Sequence, residues 1–212
     1  MKIFKNREAA GKLLADRLRK YKAKVNTLVL GIPRGGIVVA YQVAKKLKLP
    51  LDVIVTRKIG HPNQPELAIG AVDADGKIAW QENFIKESIK DPAGLVSKQV
   101  QEIKRRNNLY RQGKKQLLLK NKTIILVDDG IATGATVLSA INYLKRHQAK
   151  KVILAVPVAS RESAFDLSKQ TDELIILEIP SDFQAVGQFY HQFDSVKDEE
   201  VIQYLKTWMN NC

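Results

Sequence analysis

Two adjacent carboxylates, Asp128 and Asp129, follow a run of uncharged residues at Thr123–Val127 that is typical of a buried parallel strand. Small and hydroxyl residues at 131–136 come next, and apolar residues then recur with helical spacing over 137–144. A loop between a strand and a helix offers free backbone N–H groups and the positive end of a helix dipole, which suits a phosphate. The carboxylates can accept hydrogen bonds from hydroxyl groups or hold a divalent cation. The stretch therefore predicts an anion site beside an acidic pair.

A second strand, loop and helix precede it. The predicted strand Thr27–Gly31 leads into Ile32-Pro33-Arg34-Gly35-Gly36, and a helix is predicted over 37–47. Two glycines allow a close backbone approach that a Cβ would forbid, and an arginine can grip a phosphate with two parallel hydrogen bonds. A plain turn with an exposed arginine is the alternative interpretation.

Cations also end the next predicted strand, 51–56, which runs into Arg57 and Lys58. The carboxyl ends of strands form the edge where open α/β sheets bind ligands, although a solvated charged loop is as consistent with either residue. Gly60, Pro62 and Pro65 predict a loop over 59–66, and Asp-Gly turn chemistry predicts a hairpin from strands 67–73 and 77–80.

The remaining elements must position these loops. Helical patterns occur at 7–21 and 161–169, strand patterns at 152–157 and 173–179, and a last helix is predicted to begin near Ser195. This alternation predicts an α/β fold, an open and mostly parallel sheet with helices on both faces. We expect one domain over 1–212, with its core at about 7–180. A basic helical insertion at about 84–116 and a small C-terminal hood with the last helix at 181–212 would complete it.

Charge is concentrated in one segment. The net charge is +13, and residues 98–122 carry nine Lys or Arg and one Glu, a local net of +8. Part of this segment lies in a long helix predicted over 93–112. Such a patch attracts phosphorylated small molecules, nucleic acid or an acidic partner, and it is often only a solvated helix face.

The composition argues against a membrane or secreted protein. No apolar run approaches the roughly 20 residues of a membrane span, and charged residues alternate with apolar ones over 7–21, unlike a signal peptide. The only cysteine, Cys212, excludes a disulfide within one chain and fits a reducing cytoplasm.

The stretch 123–136 resembles the signature of type I phosphoribosyltransferases, which bind 5-phosphoribosyl diphosphate (PRPP). The resemblance implies that Asp128 and Asp129 hold the ribose hydroxyls, and that these carboxylates and Arg34 are catalytic. It places the 5′-phosphate on Ile131, Ala132, Thr133, Gly134, Ala135 and Thr136. The pyrophosphate would contact Pro33, Arg34, Gly35, Gly36 and one of Arg57 and Lys58. In the family a loop near 59–66 covers the site, and the pyrophosphate loop often contains a non-proline cis peptide. Mg²⁺, bridging pyrophosphate and ribose oxygens, is the implied cofactor, with protein ligands unknown.

The sequence says less about which nitrogen acceptor would be used. By resemblance, an aromatic hood would stack on a nucleobase, and Phe183, Phe189, Tyr190 and Phe193 could form that wall. A small aromatic core that docks the last helix is an equal alternative. Relatives that act on 6-oxopurines carry an acid where this chain has Ala132, which argues for another nitrogen acceptor.

The resemblance thus implies a cytoplasmic, Mg²⁺-dependent phosphoribosyltransferase that uses PRPP and a small nitrogen acceptor; a homodimer is a weak expectation. The alternative is a regulatory module that senses PRPP or nucleotides and binds RNA through 98–122. A phosphatase or nucleotidyl enzyme is disfavoured, because the three histidines lie at no metal-ligand spacing.

Overall fold

Eight strands and six helices form the computed structural model, which describes residues 3–61, 64–80, 92–116 and 118–210. The helices are α1 (Arg7–Arg17), α2 (Gly35–Leu47), α3 (Pro92–Arg111), α4 (Ala135–Arg146), α5 (Arg161–Ser168) and α6 (Asp198–Asn210). The strands are β1 (Thr27–Gly31), β2 (Leu51–Val53), β3 (Arg57–His61), β4 (Gln64–Val72), β5 (Ile78–Trp80), β6 (Thr123–Val127), β7 (Lys151–Val158) and β8 (Glu173–Glu178).

Five strands form a parallel sheet in the order β2-β1-β6-β7-β8. Alternate side chains of each strand enter different layers, as the period of a strand requires. Val29 and Ile125 pack with α1, α2, α3 and α6, whereas Leu28 and Ile124 pack with α4 and α5. The predicted α/β fold, a parallel sheet covered on both faces, is therefore confirmed.

A second, antiparallel sheet has the order β3-β4-β5. The hairpin predicted over 67–80 is confirmed, but the loop predicted over 59–66 is wrong for the residues that the structure describes there. Ile59 and Ile69 are buried and anchor β3 against β4, and the pairing register shifts at Gly60. The sequence suggested that Gly60 would end the strand, but a β-bulge at this glycine lets β3 continue to His61.

The basic helix α3 has the bounds that its periodicity predicted, within a residue at each end. It is more than a solvated face, because Ile103 and Tyr110 are buried and the Tyr110 hydroxyl donates to Asp198 Oδ1 of α6 at 2.6 Å. The first part of the predicted insertion, 84–91, lies outside the described residues. Helix α6 begins at Asp198, later than the predicted start near Ser195.

An ion cluster at the amino ends of β7 and β8 fastens the short segment Arg19–Tyr21, which follows α1, to the sheet. Burial alone would raise the pKa of Glu173, but hydrogen bonds from Lys20, Tyr21 and Lys151 lower it to about 2. A carboxylate with a lowered folded-state pKa stabilises the protein above its unfolded pKa, and this contribution is lost as the pH falls through the folded value.

Replacing Glu173 by glutamine is therefore expected to lower the free energy of unfolding by about 1 kcal/mol at pH 7, since the pair is partly exposed and screened. The difference from wild type should shrink as the pH falls from 4.5 toward about 2. Urea unfolding at pH 7 and pH 3 measures it, with the exposed Asp166→Asn as control. A difference that is the same at both pH values would contradict this role for the carboxylate.

Candidate active site

The two predicted anion loops meet at the carboxyl rim of the parallel sheet. Gly31 at the end of β1 is in register with Val127 at the end of β6, and the Ile32 N–H donates to the Val127 carbonyl at 2.9 Å. The loop after β1 therefore starts level with the acidic pair.

Two glycines then press this loop against the carboxylates. A Cβ on Gly36 would lie 2.8 Å from Asp128 Oδ1, and a Cβ on Gly35 would overlap Asp129 Oδ2. Any other residue would have to displace the acidic pair, so the glycines are required by this close approach. The loop 33–36 therefore lies directly against the acidic pair.

The loop after β1 contains a cis peptide bond between Pro33 and Arg34. Arg34 caps the amino end of α2 and its side chain is exposed at the rim. The guanidinium is thus presented to solvent beside the glycines.

Arg57 of β3 lies within electrostatic range of two other arginines. Burial, together with the like charges of Arg106 and Arg34, lowers the pKa of Arg57. Arg57 Nε donates to Gln99 Oε1 of α3 at 3.1 Å, while Arg106 is bonded to Glu102 at 2.7 Å. Lys58 is exposed and, as the next residue of β3, points to the opposite face of the strand. Of the two cations predicted there, Arg57 is therefore the one near Arg34.

The loop after β6 is fastened to β7 and α5. The Ile131 N–H donates to the Val158 carbonyl at 2.9 Å, and the hydroxyls of Ser160 and Ser163 donate to the Ala132 carbonyl at 2.8 and 2.7 Å. These bonds occupy the Ala132 carbonyl and fix the course of the loop.

Helix α4 begins immediately behind this loop with no side-chain cap. Its N-cap residue, Gly134, has φ of 74°, a left-handed conformation that favours glycine. The first backbone N–H groups of a helix have no intrahelical partners, so this end can receive an anion. Thr133 is exposed and Thr136 is half-buried, so the Thr133 hydroxyl is the more accessible.

Each carboxylate of the acidic pair has one oxygen held by the protein. Asp128 Oδ1 accepts from the Asp129 N–H at 2.8 Å, and Asp129 Oδ2 accepts from Arg7 Nε at 2.6 Å. Among the described residues, no N–H donor reaches the other oxygen of either group. Burial and the neighbouring Asp129 charge raise the pKa of Asp128 well above its usual value. Each carboxylate thus keeps one oxygen without an N–H donor in the described part of the chain, and the two side chains interact with each other.

The predicted hood lies beside the acidic pair, but its aromatic rings are largely closed off. Phe189 is fully buried and Tyr190 nearly so, in a cluster with Phe4, Ala10 and Val158. These two rings therefore pack in a small core and not as a ligand wall, but the described members of that core include no residue of α6, so the expected docking of the last helix is not part of it. Only Phe183 and Phe193 keep part of their surface exposed among the four aromatics.

Sequence reasoning missed Arg7, Arg106 and the Tyr190 hydroxyl. Arg7 and Asp129 are 122 positions apart, and Tyr190 donates to the Asp129 carbonyl at 2.6 Å across 61 positions. The only local signal was the charge of α3 for Arg106. Tertiary contacts of this range leave no trace in local periodicity.

Metal and membrane features are sparse in the described part of the chain. No group of three His, Cys, Asp or Glu side chains there could hold a metal ion by itself. No described helix combines the length and the apolar character that crossing a membrane would need. In the basic segment, Arg105, Arg106 and Arg111 form ion pairs with Glu102, Asp198 and Asp52, which reduces the charge available to a nucleic acid.

Residues 2–194 match the phosphoribosyl transferase domain family. A provisionally named phosphoribosyl transferase of Mycobacterium tuberculosis, known from two strains, is 41% identical over 208 residues, or 97% of this chain and 47% of the relative. The chain thus spans about half the length of these curated relatives.

Two solved structures extend the comparison. The protein TT1426 of Thermus thermophilus is 36% identical, with a TM-score of 0.82, covering 98% of this chain and 99% of that one. A purine phosphoribosyltransferase of Pyrococcus horikoshii is 18% identical, with a TM-score of 0.50 and coverage of 90% and 92%. At this low identity the second likeness concerns the fold alone.

Proposed function

The chain belongs to the phosphoribosyl transferase family, and on that basis we propose that it transfers the 5-phosphoribosyl group of PRPP to a nitrogen acceptor and releases pyrophosphate. The observation that carries the proposal is the contact of Gly35 and Gly36 with the acidic pair. It places the loop 33–36 directly against the acidic pair, which leads into the second anion loop at 131–136.

The 5′-phosphate is assigned to residues 131–136. The uncapped amino end of α4 supplies backbone N–H groups, and the Thr133 hydroxyl adds a donor. The Ala132 carbonyl accepts hydrogen bonds from two serine hydroxyls. Its partial negative charge is therefore already partnered and would repel the phosphate less.

The ribose is assigned to Asp128 and Asp129. Their two remaining oxygens can accept hydrogen bonds from the 2′- and 3′-hydroxyls. As the bond to pyrophosphate breaks, positive charge develops on the sugar, and a fixed negative charge beside it lowers the barrier. Positioning and electrostatics thus supply most of the catalysis in this scheme.

The departing pyrophosphate is assigned to the loop 33–36 with Arg34 and Arg57. The positive charges of Arg106 and Arg34 act on Arg57, and a polyanion bound beside Arg34 and Arg57 would offset this repulsion.

A magnesium ion fits as a companion of the ligand. The described residues hold no acidic cluster that would bind it alone, so ligand oxygens and water would supply much of its coordination, as this ion prefers. When bound, it would neutralise charge on the leaving pyrophosphate.

The acceptor is proposed to be a nucleobase other than a 6-oxopurine, since Ala132 supplies no acid to the ring. Phe183, part of whose ring is exposed, is the hood residue best placed to contact it, and Phe189 and Tyr190 would instead support the site from behind. The lone cysteine, Cys212, favours a cytoplasmic setting.

A screen of nucleobases for PRPP-dependent pyrophosphate release in the presence of Mg²⁺ tests this function. We expect release with at least one of adenine, uracil and orotate, and none with hypoxanthine or guanine. Release with hypoxanthine would contradict the proposed acceptor class. Tight PRPP binding without release for any base would instead favour the regulatory module.

A further inference from the structure

Arg7, the first residue of α1, reaches into the centre of the candidate active site. Its Nε lies 2.6 Å from Asp129 Oδ2 and would lie 2.8 Å from a Cβ on Gly35. The guanidinium therefore stands where the acidic pair meets the loop 33–36. Its side chain is 11% exposed and that of Asp129 is 16% exposed, so the pair is largely removed from water.

The segment 186–194 holds Arg7 in this place. Arg7 Nη1 donates to the Asp194 carbonyl at 2.7 Å, and the guanidinium carbon lies 3.8 Å from the centre of the Phe193 ring. Cation–π contact and a hydrogen bond leave the arginine little rotational freedom.

Two backbone bridges tie the same segment to the residues just before α1. The Phe4 N–H donates to the Phe189 carbonyl at 2.8 Å, and the His191 N–H donates to the Phe4 carbonyl at 2.9 Å. The Tyr190 hydroxyl holds the Asp129 carbonyl from the same side at 2.6 Å. Both the side chain and the backbone of Asp129 are thereby fixed by one assembly.

A buried ion pair is weak evidence for stability, because desolvation offsets much of the attraction. Here the pair fixes the rotation of the carboxylate: Oδ2 is held between Arg7 and Gly35, so Oδ1 is the oxygen without an N–H donor among the residues that the structure describes. A rotation of the carboxylate would move the free oxygen away from the rim.

We propose that Arg7 is a positioning residue that orients the Asp129 carboxylate toward the ribose of the phosphoribosyl donor. The inference rests on the proposed function. It predicts a defect confined to ligands that carry ribose, because pyrophosphate alone would not contact Asp129.

The test compares Arg7→Gln and Arg7→Lys with wild type by calorimetry, using PRPP with Mg²⁺ and, separately, pyrophosphate with Mg²⁺. We expect Arg7→Gln to weaken PRPP binding by about 10- to 100-fold, the range that a lost orienting partner costs at comparable sites. Pyrophosphate affinity should stay within about threefold, and Arg7→Lys should recover part of the loss. Arg19→Gln, which removes an exposed ion pair of Asp16, is the matched control.

A mutant cycle with Asp129→Asn separates orientation from folding. If Arg7 acts through Asp129, then Arg7→Gln adds less than about threefold to the effect of Asp129→Asn. Additive losses, parallel losses of pyrophosphate binding, or an unaltered PRPP affinity in Arg7→Gln would overturn the inference. A wild-type protein that does not bind PRPP would overturn the proposed function itself, and this inference with it.

Discussion

Exchanging Asp128 and Asp129 together for asparagine is expected to lower kcat/KM for pyrophosphate release by about 10³-fold or more. Asparagine keeps the shape of each side chain but removes the negative charge that would stabilise the developing cation on ribose. A single preorganised electrostatic contact contributes roughly 10²- to 10³-fold in enzymes, and here both carboxylates face the same sugar.

Steady-state kinetics with saturating acceptor measures this loss, and circular dichroism verifies that the double variant is folded. Asp166→Asn, whose side chain is 66% exposed on α5, serves as a surface control that removes one carboxylate, and it should leave kcat/KM unchanged. If the double variant retained a tenth or more of wild-type kcat/KM, the carboxylates could not be the groups that stabilise the transition state.

Replacing Gly35 by alanine is the second change with a large expected effect. The new Cβ would overlap Asp129 Oδ2 and lie 2.8 Å from Arg7 Nε, so the carboxylate and the loop 33–36 cannot both keep their places. We expect PRPP affinity to fall by about 100-fold, because the ribose and pyrophosphate contacts would be disturbed together.

Gly11→Ala is the matched control for the loss of packing space. Its Cβ would lie 2.8 Å from Gln42 Cβ and from the Val39 carbonyl oxygen, between α1 and α2 and away from the rim. Both variants should lose stability, but Gly11→Ala should retain PRPP affinity in the folded protein. If both variants lost the same PRPP affinity, the loss in Gly35→Ala would reflect general destabilisation of the fold and not a local change at the site.

The sequence was most informative where the functional residues lie close together along the chain. The strand and loop of 123–136 place the acidic pair, the loop and the start of α4 within one short stretch, and the structure keeps that order. Adjacency of β1 and β6 then brings the loop of Arg34 to the same rim. Parallel strands align their carboxyl ends, which is why two local motifs predicted one site.

Reasoning from the sequence failed where neighbours decide the outcome. Gly60 suggested a loop, yet buried Ile59 and Ile69 and a bulge continue β3. Arg7 falls within the helical pattern at 7–21, and nothing in that local pattern points to Asp129. The aromatic residues of the hood were compatible with either a packed core or a ligand-binding wall. Composition cannot distinguish the two, because the same residue types form both.

The central claim is that one ligand spans both loops, and competition calorimetry tests it most directly. Ribose 5-phosphate and pyrophosphate, each with Mg²⁺, are titrated singly, together and against PRPP. We expect the two fragments to bind at the same time, since residues 131–136 and 33–36 would hold different phosphates, and we expect PRPP to displace both. If PRPP displaced only one fragment, or showed no saturable binding up to about 1 mM, the two loops would not serve a single phosphoribosyl donor.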